Sequence, residues 1–254
     1  MLPHRSHLRY LVTAPTNNTS PTSKLKNRYM IEQLQSIDVA CFSSINGLHG
    51  IFMDHAMWLV SGKLSWLLLL LAVLYVGWRK GWRTMLLLVL AIGLAILLAD
   101  QLSSGLIKHL VERPRPSHNH ELDATIHLVN GYRGGAYGFV SSHAANSLAT
   151  CLFLCLILRN AFTTVTLMLW TLLQCYSRIY LGVHYPGDIA GGLIVGAIVA
   201  FIVYWFWKWA SKRYLHADPR GVFTHRDARL VANATWCNVL IITALATIFT
   251  FATT

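Results

Sequence analysis

Charge is what this sequence has least of. Asp, Glu, Lys and Arg make up 12% of its 254 residues, against roughly 25% in an ordinary soluble domain, and mean hydropathy is +0.48. A soluble globular enzyme is excluded on that ground. The sequence also lacks a disulfide framework. Its five cysteines are Cys41, Cys151, Cys155, Cys175 and Cys237. Four of them lie in or at the ends of apolar runs, where a thiol packs as a small hydrophobe. Cys151 and Cys155 stand one helical turn apart, but two ligands are too few for zinc. Residues 1–29 contain no continuous apolar stretch, so they are not a signal peptide, which needs an apolar segment of roughly 7–15 residues.

What the chain does have is apolar bulk: 55% hydrophobic residues, with nine Trp and ten Tyr. This composition excludes global disorder, and the amphipathic rings suit headgroup depth in a bilayer. Six apolar runs stand out, at 64–78, 85–102, 144–158, 162–175, 189–209 and 235–253. The expected fold is therefore all-α, a polytopic membrane bundle of about six transmembrane helices. Two of the runs, at about 14–15 residues, must borrow flanking residues to cross. Between residues 31 and 62, apolar residues mix with Asp38, Asn46, His49, Asp54 and His55, a pattern suited to interfacial helices. Residues 1–29 read as a disordered polar tail and 30–254 as one membrane domain, with Met30 as an alternative start.

The formal charge of +11 suggests nucleic acid or an acidic membrane surface until it is sorted by position. Ten cations (Arg79, Lys80, Arg83, Arg159, Lys208, Lys212, Arg213, Arg220, Arg226 and Arg229) fall in connections that six spans place on one face. By the positive-inside rule that face is cytoplasmic. Five more stand on the opposite face: Lys108, Arg113, Arg115, Arg133 and Arg178. They run against the bias, so something should hold them there. No motif supports nucleic acid as a partner.

Three short segments converge on that opposite face. Lys108 is followed by six residues and Arg115-Pro116; Val140-Ser141-Ser142-His143 opens the third run; Ser177-Arg178 is followed by five residues, His184, three residues and Asp188. Lys108, Arg115 and Arg178 suit a phosphate clamped by charge-assisted hydrogen bonds. The backbone N–H groups near Ser141 and Ser142 lie where a helix begins, which favours anions. His143 and His184 can divide the work of nucleophile and general acid. Asp188 is placed to fix the His184 tautomer across a turn. Asp100, at the end of the second run, is expected to pair with Lys108 or Arg115, since a carboxylate there is expensive alone.

The three segments together resemble the signatures of the type 2 phosphatidic acid phosphatase (PAP2) superfamily. The resemblance implies a membrane lipid phosphatase with His184 as a nucleophile forming a phosphohistidine, Asp188 as its orienter and His143 as the acid for the leaving group. It implies phosphate binding by Lys108, Arg115, Ser141, Ser142 and Arg178, and neither metal nor cofactor. The second segment departs from the usual Pro-Ser-Gly-His, losing proline rigidity and glycine freedom, although serine still presents its N–H. Residues 129–146 are similar to members that dephosphorylate lipid A. Residues 45–49 are similar to undecaprenyl pyrophosphate phosphatases. The expected substrate is the lipid A 4′-phosphate, ahead of undecaprenyl pyrophosphate and of phosphatidylglycerophosphate or phosphatidic acid. The expected location is the bacterial inner membrane, with the site facing the periplasm.

Other readings carry less. A non-catalytic lipid-binding or transport protein of this fold predicts an eroded catalytic residue, and none is eroded. A vanadium haloperoxidase shares the phosphate site but is soluble. Arg113 and Arg133 read equally as headgroup contacts or parts of a solvated loop, and His118, His120, Glu121 and Asp123 read as solvated polar residues.

Overall fold

The structure, a computed structural model, describes residues 21–216, 218 and 221–253. The first twenty residues of the expected tail, and Arg220 among the cations sorted above, lie outside them. The chain divides into two units, Met1–Ile37 and Asp38–Thr254. The described part of the first unit is the beginning of helix α1 (Pro21–Asn46), so residues 21–29 are helical. Pro21 suits the first helical position, where no N–H is needed. Neither Pro nor Gly recurs before Gly47, and Arg28 pairs with Glu32 one turn on at 3.0 Å.

The main elements of the second unit are helices, with a long loop between the fifth and sixth: α2 (Ile51–Ser61), a 3₁₀ turn (Lys63–Trp66), α3 (Leu67–Arg79), α4 (Trp82–Asp100), α5 (Lys108–Val111), α6 (Ser142–Leu158), α7 (Ala161–Tyr180), α8 (Pro186–Ala210) and α9 (His225–Thr253). A π-helical segment, Gln101–Ile107, joins α4 to α5 without a break. Each of the six apolar runs is a helix. Among the described residues, three continuous helices, Trp82–Val111, Pro186–Leu215 and His225–Thr253, are long and apolar enough to cross a membrane unaided. Helix α2 and Lys63–Arg79, bent by 64°, make a fourth span if taken together.

The packing is arranged for lipid. On α4 the small residues Ala91, Ala95 and Ala99 are fully buried, while Leu86, Leu90 and Leu97 are about half exposed. Among helices in a bilayer the apolar effect provides no net attraction, so close van der Waals contact between small residues decides which faces meet. Helix α6 packs most extensively against α8. Gly192 and Gly196 permit it: a Cβ on Gly196 would stand 2.6 Å from the Ala145 carbonyl oxygen, and one on Gly192 would collide with that of Ser141. The approach lets the Ser141 N–H donate to the Asp188 carbonyl at 2.9 Å, tying the start of α6 to the first turn of α8.

Chain direction then fixes the two ends of the bundle. The ends of α5 and α7 and the starts of α6 and α8 share one end. The opposite end carries Arg79, Lys80 and the start of α9, where Asp227 pairs with Lys80 at 2.8 Å and Arg79 at 3.8 Å.

Candidate active site

The link from α7 to α8 carries the central pair. Gly182, at φ +77°, turns the chain through a conformation that side chains resist. Pro186 then starts α8 and Asp188 occupies its third position. The Asp188 Oδ2 accepts the Tyr185 N–H at 3.1 Å, closing a capping box, and also lies 3.3 Å from the His184 Nδ1. Its Oδ1 accepts from the Arg113 Nη1 at 2.9 Å. A carboxylate facing Nδ1 requires that nitrogen to carry the proton, which leaves the Nε2 lone pair free to accept. Arg115 Nη1, always a donor, sits 3.1 Å from Nε2. Burial first, then the charges of Arg115, Arg178 and Lys108, hold His184 well below the ordinary histidine range. The imidazole is therefore neutral at physiological pH.

Three cations surround this pair. Arg115 is buried and donates to the Tyr137 and Val183 carbonyls at 3.0 and 3.2 Å; the Pro114–Tyr137 backbone bridge brings that loop alongside. Burial, then the neighbouring Arg178, lowers the Arg115 pKa. Arg178 is 3% exposed. It donates to the Ser61 hydroxyl and lies under the Tyr132 ring, but its buried Nε has no partner among the described residues. Lys108 Nζ donates to the Ser142 Oγ at 3.0 Å. Among the described residues, no carboxylate stands within ion-pair distance of these three cations; the nearby acids Asp188 and Asp38 pair with Arg113 instead. Desolvated cations without counter-ions make a site for an anion.

The start of α6 completes the arrangement. Ser141 is its N-cap, its Oγ accepting from the Ala144 N–H at 3.4 Å, so the first-turn amides of Ser142 and His143 are the ones a helix leaves available to an anion. His143 lies within electrostatic reach of Arg178, His184, Lys108 and Arg115. Its ring faces a cavity of about 470 Å³ that descends between α3, α4 and α6.

The residues singled out in the three segments thus meet at one end of the bundle. Asp100 does not pair directly with Lys108 or Arg115 as expected. Its Oδ1 accepts from Ser104 at 3.2 Å, Ser104 bonds Ser142 at 2.7 Å, and Ser142 accepts from Lys108. Two hydroxyls relay the contact because Asp100 and Ser104 lie one turn apart on the same helix face, with Ser142 beyond them. Arg113 is not a solvated loop residue: it is half-buried and held by two carboxylates. It bridges Asp188 to Asp38, its Nη2 lying 2.6 Å from Asp38 Oδ2, while Asp38 Oδ1 accepts the Gly187 N–H at 2.7 Å. Arg113 stands two residues before Arg115, a hint available in the sequence; nothing there joins it to Asp38, 75 positions away. Arg133 is a loop staple, donating to the Ser117 carbonyl at 2.9 Å. His120 and Asp123 pair on the surface at 3.1 Å, and among the described residues no three potential ligands converge on a metal position.

A buried His–Asp pair beneath unpaired cations, carried on lipid-facing helices, defines a membrane protein built to hold a phosphate. Residues 84–212 match the PAP2 superfamily, and the chain belongs to that superfamily. It is 36% identical to the lipid A 4′-phosphatase of Porphyromonas gingivalis over 79% of this chain and 87% of that protein. It is 37% identical to the lipid A 4′-phosphatase of Bacteroides thetaiotaomicron over 69% of this chain and 79% of that protein. The crystal structure of a transmembrane PAP2-type phosphatidylglycerolphosphate phosphatase from Bacillus subtilis has the same fold, with TM-score 0.51 and 23% identity over 68% of this chain and 86% of that one.

Proposed function

We propose that the protein is a lipid A 4′-phosphatase of the bacterial inner membrane, with its site facing the periplasm. The observation that carries the chemistry is the set of three cations without counter-ions around a neutral, Asp-oriented imidazole. Similarity to two lipid A 4′-phosphatases over most of their length supports the substrate. The cation-rich opposite end supports the orientation.

The lipid phosphate sits among Lys108, Arg115, Arg178 and the amides at the start of α6, its charge replacing the missing counter-ions. As it binds, one of its oxygens takes over the Arg115 Nη1–H, releasing the His184 Nε2 lone pair. Nε2 attacks phosphorus, the P–O bond to the sugar breaks, and His143 gives its proton to the departing oxygen. His184 is then phosphorylated at Nε2, and its developing positive charge is held by Asp188 through Nδ1–H. Water attacks the phosphohistidine, His143 takes the water proton, and inorganic phosphate leaves with His184 restored. Arg forks and helix-end dipoles aimed at the phosphoryl oxygens act on charge that grows toward the transition state. Replacing His184 by Ala should abolish phosphate release from purified lipid A, as mass spectrometry of the product would show. A variant that still releases it rules out the mechanism, whereas wild-type enzyme that leaves the 4′-phosphate intact rules out the substrate.

A further inference from the structure

Of the three cations in the phosphate grip, Lys108 has the most freedom to lose. Arg115 is fixed by two carbonyls and the His184 ring, and Arg178 by the Ser61 hydroxyl. An ammonium on a flexible four-carbon stem must be ordered before it can serve a ligand. What orders it here is a chain of hydroxyls. Asp100, Ser104 and Lys108 follow at four-residue intervals along Trp82–Val111, which runs on through its π-helical segment, so the three share one side of the helix. Asp100 and Lys108 stand two turns apart. Ser142, buried at the start of α6, closes the gap between Ser104 and the lysine.

The direction of every bond in this chain is determined. A carboxylate only accepts, an ammonium only donates, and a serine hydroxyl has one proton. Ser104 gives its proton to Asp100 Oδ1 at 3.2 Å. Ser142 must then give its own to Ser104 at 2.7 Å, which leaves a lone pair to accept from Lys108 Nζ at 3.0 Å. Each hydroxyl accepts once and donates once. With its proton turned toward Ser104, the Ser142 hydroxyl has none to give a phosphate, and the residue faces the anion through its N–H.

We infer that Ser104 and Ser142 are positioning residues that hold Lys108 in its phosphate-binding place before the substrate arrives, with Asp100 anchoring the chain behind them. The inference rests on the proposed phosphate grip, whichever lipid carries the phosphate. A direct Asp100–Lys108 ion pair would compete with the substrate for the ammonium. The hydroxyls transmit the anchor's pull, since consecutive hydrogen bonds polarise one another, yet leave two of the three ammonium protons for the anion. A cation ordered in advance spares the substrate the cost of ordering it. That saving is equal in the bound ground state and the transition state, so it belongs to KM and not to kcat.

The test combines turnover of purified lipid A with a phosphorus NMR titration by inorganic phosphate, both on the full chain in detergent. S104A should raise KM and weaken phosphate binding about three- to ten-fold, with kcat within about two-fold of wild type. S104T keeps the hydroxyl and should restore both. In a K108M background, S104A should weaken phosphate no further, because the chain then has nothing to hold. The inference is overturned if S104A leaves KM and phosphate affinity at wild-type values, or lowers kcat with KM unchanged. It is equally overturned if S104A weakens phosphate as much beside K108M as alone. If S104A does not fold, S142A cuts the chain one link further on, and its phosphate affinity is put through the same cycle. K108M that binds phosphate like wild type overturns the grip itself; K108M weakened while S104A is unaffected overturns only the hydroxyl chain.

Discussion

Two buried aspartates begin two helices at opposite ends of this bundle, and locally they are built alike. Asp188 accepts the Tyr185 N–H at the start of α8, and Asp227 accepts the Thr224 N–H at the start of α9 at 2.9 Å. Each is buried, and each pairs with a partly exposed cation, Arg113 in one case and Lys80 in the other. The difference lies in the remaining contact. Asp227 adds Arg79 and the Thr224 hydroxyl, which fastens the helix start to the end of α3. Asp188 adds His184. One capping device serves stability at one end, and at the other the same device also orients an imidazole.

The sharpest test is to make the same change at both ends. Asp188→Asn should lower kcat about 10³- to 10⁴-fold, because an amide can stabilise the wrong His184 tautomer. Asp227→Asn should leave turnover per folded molecule unchanged. If Asp227→Asn abolishes turnover of folded protein, the comparison fails. Next in size is Arg178→Leu, expected to reduce kcat/KM about 10²- to 10³-fold. It should not lower the melting temperature, since it removes a buried charge that has no carboxylate partner among the described residues. Arg113→Gln tests the cation behind Asp188. As a positioning residue it should reduce kcat about 10- to 100-fold with KM little changed, and Arg113→Lys should recover part of the loss; a change confined to KM would make it a substrate contact.

Smaller in activity but measurable in stability is Asp227→Asn itself. It should cost about 1–3 kcal/mol in a detergent unfolding assay, a figure discounted for the partial exposure of its cations. The smallest effect concerns pH. The folded pKa of His184 lies below its unfolded value, so below about pH 6.5 the unfolded chain gains a proton that the native protein refuses. This residue's contribution to stability therefore declines as pH falls through that range. Histidine NMR of the ligand-free protein should show no His184 titration between about pH 6 and 7. Inorganic phosphate should raise the pKa, because its charge offsets the field of Arg115, Arg178 and Lys108. Titration at the ordinary value without phosphate would remove the neutral-nucleophile picture.

Much of this was legible in the sequence because it depends on local rules. Apolar runs became helices, and chain direction alone brought Lys108, His143 and His184 to one end. The motif spacing singled out Arg115, Arg178 and Asp188, which the fold gathers beside His184. What escaped was tertiary. Asp38 looked like one polar residue among several in an interfacial stretch, and only the folded chain lays it against Gly187 and Arg113. The Ser104–Ser142 relay replaced a direct ion pair because a serine one turn from Asp100 is nearer than the lysine. Residues 21–29 read as a tail on composition, yet the absence of any breaker after Pro21 let the helix extend back through them.

Helix α6 has 17 residues, about 25 Å at 1.5 Å per residue, whereas its neighbours continue through 30 residues as Trp82–Val111 and Pro186–Leu215. Its length is also a few ångströms short of the roughly 30 Å apolar layer of a bilayer. The Ser141 N–H bond to the Asp188 carbonyl holds the start of α6 level with the first turn of α8, so the shortfall lies at the other end, where α8 continues to Leu215 and α6 stops at Leu158. The two helix starts are thus kept in register where the histidines stand, and the difference in length is taken up at the far end.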